Sequence, residues 1–280
     1  MVRAHSRVAR LCRHAGVIAA MNAHKVWTLG GRIRRLGALL LLALLAAVTS
    51  ANAVADGLRF SLVRTAQSES GDFLLRRGGW QPQPQTQHIA ILIEHRGTRL
   101  LFGTGLGRQI DEQLDAELPW RTKRYGEVQP VRDQLERDGL AIDRIVLGCV
   151  RWEHASGLVD FPGVPVLASP DSLDYLQTAT PPAVLPSQFR HPIDWQPLQF
   201  DPRPYFGHAQ SLDLFGDGQL VLVPLAGHGA VGLYLTLADG RRFFFRGDRP
   251  EQDVGGAQGI ATLRDADTQA SLGYYPHWVQ

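Results

Sequence analysis

The chain has 280 residues, of which 44% are hydrophobic and 20% charged, a composition that excludes a mainly disordered protein and allows one large domain or two small ones. Its formal charge of +2 is mild, and eight of its 29 basic residues fall between Arg3 and Arg35, a stretch with no acidic residue. The remainder is near neutral or slightly acidic, which removes the electrostatic case for a nucleic-acid partner.

That basic start leads into Leu36-Gly-Ala-Leu-Leu-Leu-Leu-Ala-Leu-Leu-Ala-Ala-Val48 and then Ser50-Ala-Asn-Ala53, the order of an n-region, an h-region and a small-residue exit. Residues 1–53 are therefore expected to be an export signal cleaved after Ala53, with residues 54–280 forming one exported domain, periplasmic or secreted. The apolar run is about a dozen residues, short of the roughly 20 that a spanning helix needs, so no stable membrane span is expected after cleavage. An uncleaved anchor is the alternative, and translation has two candidate starts, Met1 and Met21. Cleavage removes Cys12 and leaves Cys149 as the only thiol, which excludes an intramolecular disulfide.

In the mature chain, Gln81-Pro-Gln-Pro-Gln85 and Pro181-Pro-Ala-Val-Leu-Pro186 read as surface loops, and no self-similarity of solenoid length appears. Ile89–Ile93 and Arg99–Phe102 are apolar runs joined at Arg96-Gly97, a predicted β-hairpin followed by the glycine loop Gly103-Thr-Gly-Leu-Gly107. Val131–Asp138 has apolar residues four apart and stops at Gly139, which predicts a helix, and Arg144–Leu147 returns as a buried strand. A strand is expected over Phe161–Ala168, and a helix over Ser169–Gln177 with Ser169 as cap and Pro170 at its first position.

The second half turns β-rich. Ser211–Phe215, Gln219–Pro224, Gly232–Leu237 and Arg241–Phe245 are predicted strands, joined by Phe215-Gly-Asp-Gly218 and Ala238-Asp-Gly240, which suit type I′ turns. Sheets in both halves with helices between them predict a layered α/β sandwich.

Three loops carry the candidate chemistry. Cys149-Val-Arg-Trp-Glu-His154 follows one apolar strand, Gly227-His228-Gly229 a second, and Gly247-Asp248 a third, so each donor group is expected near a strand end. Thiolate, imidazole and carboxylate donors converging there suit a first-row metal, whereas Arg151 has no lone pair to give. A lone cysteine also serves as a small apolar residue at a strand end. Gly103-x-Gly105-x-Gly107 lacks the spacing of a dinucleotide loop and reads as a turn that lets backbone pass close to a site. His88, His95, His191 and His208 carry no assigned role, and Trp120, Trp152 and Trp195 are expected as core or partly buried residues, with a pocket mouth as the alternative.

From about His88 to Asp248 the chain resembles the metallo-β-lactamase superfamily of hydrolases. Cys149–His154 followed by Ala155-Ser-Gly-Leu158 is similar to that family's His-x-His-x-Asp-His and Ala-Gly-Gly-Leu. Gly103–Gly107 is similar to its Asp-Thr-Gly-x-Gly loop, Pro224-Leu-Ala-Gly-His228 to its Pro-x-x-Gly-His, and Phe245-Arg-Gly-Asp248 to its strand ending in Gly-Asp. The resemblance implies a four-layer αβ/βα sandwich that binds a small-molecule substrate and holds one or two zinc ions to hydrolyse esters, lactones, thioesters, amides or phosphoesters. Carried over residue by residue, it places Cys149, Arg151 and His228 at a first metal, Glu153 and His154 at a second, and Asp248 between them.

The departures define two expectations. Two of the four signature ligands change type, Arg151 is a permanent cation that repels a divalent ion, and Gly103 stands where the family has a supporting aspartate. His277 is no sure counterpart of the family's last histidine. Either the pocket is a pseudoenzyme site, in which Arg151 takes the metal's place and pairs with Glu153 and Asp248, or it holds a single zinc. In the second case His154, His228 and Asp248 with Glu153 or Cys149 are the ligands, zinc supplies a hydroxide nucleophile, and Asp248 or Glu153 orients it.

Overall fold

The computed structural model describes residues 57–67, 73–76, 79–82, 87–118, 125–246, 260–262 and 266–280. The expected signal segment and Trp120 lie outside the described residues. The strands in chain order are β1 (Arg59–Gln67), β2 (Phe73–Arg76), β3 (Gly79–Pro82), β4 (Gln87–His95), β5 (Thr98–Phe102), β6 (Arg144–Val146), β7 (Val166–Ala168), β8 (Trp195–Pro197), β9 (Leu212–Asp213), β10 (Leu220–Pro224), β11 (Val231–Thr236), β12 (Arg242–Phe245) and β13 (Ile260–Thr262). The helices are α1 (Ile110–Glu117), α2 (Val131–Arg137), α3 (Trp152–Ala155), α4 (Pro170–Thr178) and α5 (Ala266–Leu272). No helix among the described residues is long and apolar enough to cross a membrane.

Six strands form one sheet in the order β1-β4-β5-β6-β7-β8, antiparallel through β5 and parallel beyond it. Five more form a second sheet, β13-β12-β11-β10-β9, whose one parallel pair is β12 with β13. Side-chain alternation decides which face meets which layer. Ile91, Ile93, Leu100 and Phe102 point into a core shared with Leu222, Leu233, Leu235, Phe243 and Phe245 of the second sheet. Their neighbours Ala90, Leu92 and Leu101 point the other way, against Val131 and Leu135 of α2 and Leu173 and Leu176 of α4.

This is the expected αβ/βα sandwich. Phe60 lies at its centre, edge-on to Phe243 at 4.9 Å and to Phe245 at 5.6 Å between ring centroids. The outer face of the second sheet carries Val221, Val223, Tyr234 and Phe244, covered among the described residues by Tyr205, Phe206 and Leu225.

Several local expectations hold for the physical reasons given. Arg96 (φ 49°) and Gly97 (φ 73°) join β4 to β5 in a two-residue turn with both φ positive, the type I′ geometry. At the end of α2, Gly139 (φ 66°) lets Leu140 N–H reach back to Leu135 O at 3.0 Å, the bond that closes a helix on glycine. Ser169 Oγ accepts the Ser172 N–H at 3.1 Å and caps α4 with Pro170 in its first position.

Others are corrected. The strand expected over Phe161–Ala168 is only Val166–Ala168, because Pro162, Gly163 (φ 75°) and Pro165 bend its first half into a turn. The loop Ala238-Asp-Gly240 is not type I′: only Gly240 has positive φ, and Gly240 N–H bonds Leu237 O at 2.9 Å across a three-residue connection. Phe215–Gly218 is likewise shaped by Asp213, whose carboxylate accepts the Gly216 N–H at 2.9 Å and the Gly218 N–H at 2.7 Å.

His95, given no role by sequence, clamps the two sheets. It is 1% exposed, its Nε2 lies 2.6 Å from Asp217 Oδ2, and Arg96 reaches the same oxygen at 3.0 Å. Burial alone raises the Asp217 carboxyl, but the Gln219 amide, His95 and Arg96 outweigh it and hold it below the usual carboxylate value. A depressed carboxyl contributes stability that is complete above its unfolded pKa and is lost as pH falls through its folded one. The thermal midpoint of the wild-type chain should therefore drop on acidification below about pH 4, the ordinary carboxylate range. In Asp217→Asn the midpoint should start lower at neutral pH and fall less over the same interval, as thermal melts at stepped pH will show.

Candidate functional site

The glycine loop fixes the site by close backbone approach. Gly103 (φ 69°) donates its N–H to Val146 O at 2.9 Å, which turns the chain off β5 toward the end of β6. Thr104 then donates twice to His154 O, from its N–H at 2.9 Å and from Oγ1 at 2.8 Å. Gly157 N–H returns a bond to Thr104 Oγ1 at 3.1 Å, and Gly107 N–H bonds Ser156 Oγ at 3.1 Å. Any Cβ at Gly107 would lie 2.5 Å from Gly157 Cα, a separation real atoms do not tolerate. The expected close passage is thus to the backbone after His154.

Between Val146 and that anchored segment the chain does not continue as strand. Val150-Arg151 lead into α3, one helical turn that starts after Arg151 in extended conformation (φ −68°, ψ 148°) and runs into a 3-10 turn over Ser156–Asp160. Trp152 and Glu153 are buried and His154 is half-buried. Trp152 joins Leu106, Ile110, Tyr125 and Leu185 in a small apolar cluster, the core use expected of it. Trp195 is half-buried beside Phe189 and joins the helix-side core.

The carboxylate of Glu153 is only 7% exposed, and its Oε1 accepts a hydrogen bond from the Arg151 guanidinium. The other oxygen, Oε2, is buried with no hydrogen-bond partner among the described residues. A lone buried carboxylate is expensive, so the positive charge two residues away is what makes Glu153 tolerable there. His154 Nδ1 sits 3.7 Å from where a Cβ on Gly103 would be. A side chain at position 103 would therefore begin beside that imidazole, and here there is none.

His228 is placed differently. It has positive φ (52°), is exposed, and stacks on Tyr175 of α4 with ring centroids 4.0 Å apart and planes at 19°. Its loop is seated on the start of α4: Ser172 Oγ donates to Gly229 O at 2.8 Å and to His228 O at 3.3 Å, and Ser169 Oγ also donates to Gly229 O. At Gly229 (φ 70°) a Cβ would strike Ser172 N at 2.1 Å. Beyond the loop, Val231 N–H bonds Gly148 O at 2.8 Å, so β11 begins next to half-buried, free Cys149.

Asp248, assigned above as bridging and catalytic carboxylate, lies outside the described residues. Among the described residues no three His, Cys, Asp or Glu side chains are grouped to hold a metal ion. Among the described residues, one Glu153 oxygen accepts from the Arg151 guanidinium and the His228 ring lies on the Tyr175 ring. His277 belongs to the chain's last segment, where its ring packs on Gly273 and its carbonyl accepts from Ser61. Sequence reading missed Tyr175 and Ser172. Their signal is faint, since both look like ordinary residues of an amphipathic helix.

No family model and no curated protein matches the chain. Solved structures do. A point mutant of AiiA from B. thuringiensis, described with N-decanoyl-L-homoserine bound at the active site, superposes with a TM-score of 0.59 at 10% identity, covering 80% of this chain and 100% of that one. An N-acyl homoserine lactone hydrolase, with the product N-hexanoyl-L-homoserine bound at its catalytic metal centre, gives 0.58 at 11% identity over 80% of this chain and 99% of that one. A quorum-quenching N-acyl homoserine lactone lactonase gives 0.54 at 10% identity with 80% and 99% covered.

The chain has the metallo-β-lactamase fold. At such identity the likeness is one of fold, and it spans nearly the whole of those enzymes.

The ion pair is testable by itself. Arg151→Ala leaves Glu153 buried without a cation and should lower unfolding free energy by about 1–3 kcal/mol, below the range for breaking a fully buried pair. The discount reflects solvent screening of Arg151, whose side chain is 43% exposed. Combining it with Glu153→Gln should recover most of the loss in urea unfolding, whereas additive losses would show that the two side chains do not depend on each other.

Proposed function

We propose that this chain is an exported, hydrolase-like protein of the metallo-β-lactamase fold that takes a small molecule in the family's pocket but lacks two-zinc hydrolysis. The observation that carries this reading is the Arg151–Glu153 pair. Guanidinium keeps its proton in proteins, so Arg151 brings a fixed positive charge to a position where the family supplies imidazole. A divalent ion brought to the same position meets that charge at short range in a partly desolvated pocket, where repulsion is several-fold stronger than in water. The carboxylate that would help to hold the ion is already neutralised.

The arrangement of His228 points the same way. Stacked and exposed, it is held by the bonds from Ser169 and Ser172 to its loop, so turning it inward breaks an aromatic contact and works against a seated backbone. In this reading Asp248 shares the charge of Arg151 with Glu153, and the pocket retains a shape without the Lewis acid.

One observation favours a second reading. Glu153 Oε2 is a buried acceptor with no donor among the described residues, and such an atom suits a cation. A single zinc held by His154, His228 and Asp248 with Glu153 or Cys149 would use it and would allow hydrolysis of an ester or lactone. Because N-acyl homoserine products occupy the structurally similar enzymes, N-acyl homoserine lactones and their ring-opened acids are the first ligands to offer.

Zinc per protomer separates the readings. The chain purified without chelator should carry almost none, and about one equivalent would establish the single-zinc reading instead. The double substitution Cys149→His with Arg151→His should raise zinc content, measured by elemental analysis and by zinc-induced thermal shift. No gain in either would count against aligning these residues with the family's ligands.

A further inference from the structure

The outer face of the second sheet is covered by a hairpin that has a histidine in its contact with the sheet. Two pairs of backbone bonds close it: Asp201 and Ser211 exchange bonds at 2.9 and 3.1 Å, and Tyr205 and His208 exchange bonds at 2.9 Å each. Ser211 Oγ adds a bond to Arg203 O at 2.9 Å. The tip is Phe206-Gly207, both with positive φ (41° and 86°), a two-residue type I′ turn. That turn favours asparagine or glycine at its first position, and a bulky aromatic residue is out of place in left-handed backbone. Local preference therefore opposes the hairpin, and packing on the sheet is what holds it closed.

The packing is aromatic. Phe206 stacks on Tyr234 at 5.4 Å and 29°, Tyr205 meets both rings edge-on at 4.7 and 5.3 Å, and Tyr234 stacks in turn on Phe244 at 4.1 Å. His208 sits among these rings, 5.8 Å from Tyr234 and 5.9 Å from Phe244 between centroids, with Nε2 3.2 Å from the Tyr234 hydroxyl. Burial and Tyr205 push that hydroxyl up to about 12 against Arg246, so it keeps its proton wherever histidine titrates.

The groups facing the hairpin set the sign of its response to acid. On the hairpin itself, exposed Arg203 lies 3.8 Å from Asp201. Asp213 of β9 and Arg242 of β12 act on Tyr205, and the Arg242 guanidinium lies 5.5 Å from the Phe206 ring. Arg246, buried just past β12, acts on both His208 and Tyr234. Burial lowers the His208 pKa most, a hydrogen bond with the Pro224 backbone raises it, and Arg246 lowers it again, leaving it below the ordinary histidine value. An imidazole depressed in its packed state takes a proton more readily once it leaves, so acid favours leaving. The packed hairpin is fully stable above the free-histidine value, about 6.5, and loses stability as pH falls from there toward the lower value of the packed ring.

We propose that His208 is an acid-sensitive latch: neutral, it packs the 201–211 hairpin on β11 and β12, and protonated, it releases the hairpin from that face. Release uncovers Tyr234 and Phe244 and separates the hairpin from Pro224, the last residue of β10, after which the loop to His228 departs. The latch therefore stands at the root of a candidate-site loop, yet it does not depend on what the pocket binds.

The test follows ring-to-ring nuclear Overhauser effects in the full-length chain, with histidine and the aromatic residues isotopically labelled, from about pH 7.5 to about pH 5, on either side of the ordinary histidine value. The Phe206–Tyr234 contact should be lost in step with protonation of His208, read from its own ring signals, and should return when the pH is raised. Amide protection at Leu222 and Leu233, inner-face residues of the same sheet, should hold throughout. His208→Gln keeps a hydrogen-bonding side chain that does not titrate, and its Phe206–Tyr234 contact should survive acidification. The proposal is overturned if His208 protonates with the contact kept, if the ring is still neutral at the acid end, or if the variant opens as the wild type does. Loss of protection at Leu222 in the same step also overturns it, because the hairpin then reports global unfolding. Should the variant fail to fold, the wild-type titration decides by itself.

Discussion

The carbonyl of His154 accepts two hydrogen bonds from Thr104, and the polar turn owes its position to them. With Gly107 against Gly157, these bonds bring two loops of the first sheet into backbone contact, a contact that only glycine permits. The consequence is a division of labour between main chain and side chain. Backbone bonds set where residues 151–154 lie, and nothing in those bonds depends on which side chains the positions carry. A metal ligand there is replaceable without loss of the scaffold, provided the new side chain satisfies the charges around it.

Arg151 meets that condition for Glu153. A carboxylate buried to 7% exposure needs a cation or a proton, and a guanidinium bonded to one of its oxygens supplies the charge without any exchange with solvent. The remaining oxygen is buried and without a donor among the described residues. A pair made this way stabilises modestly, since one partner is nearly half exposed, yet separating it is unfavourable because the carboxylate cannot follow the arginine into water. The compensating cation is tethered to the chain two residues from the carboxylate.

Much of this was legible in the sequence because local rules and tertiary demands agree there. The β4–β5 hairpin, the glycine stop of α2, the serine cap of α4 and four of the five strands of the second sheet each follow from a turn residue or a period that packing then uses. The misses share a cause. Phe161–Ala168 has the apolar content of a strand, but two prolines and a left-handed glycine remove its first half from the ladder. Cys149–His154 reads as the tip of a strand, yet the bonds to Thr104 bend its end into a helical turn. The pairing of the chain's last segment with β1 is illegible for a different reason: Ser61 and His277, which it joins, are 216 residues apart, and no local pattern announces a pairing that remote.

The two candidate imidazoles are secured by different means. His154 is gripped through its own backbone by the glycine loop, whereas His228 stands on a glycine-flanked loop held by two serine hydroxyls of α4 and by stacking on Tyr175. The first grip belongs to the core of the fold and persists while the fold persists. The second rests on serine hydroxyls bonded to the backbone carbonyls of His228 and Gly229 and on an exposed ring in a left-handed backbone conformation. Stacking on Tyr175, at 4.0 Å between centroids and 19° between planes, sets the orientation of that imidazole.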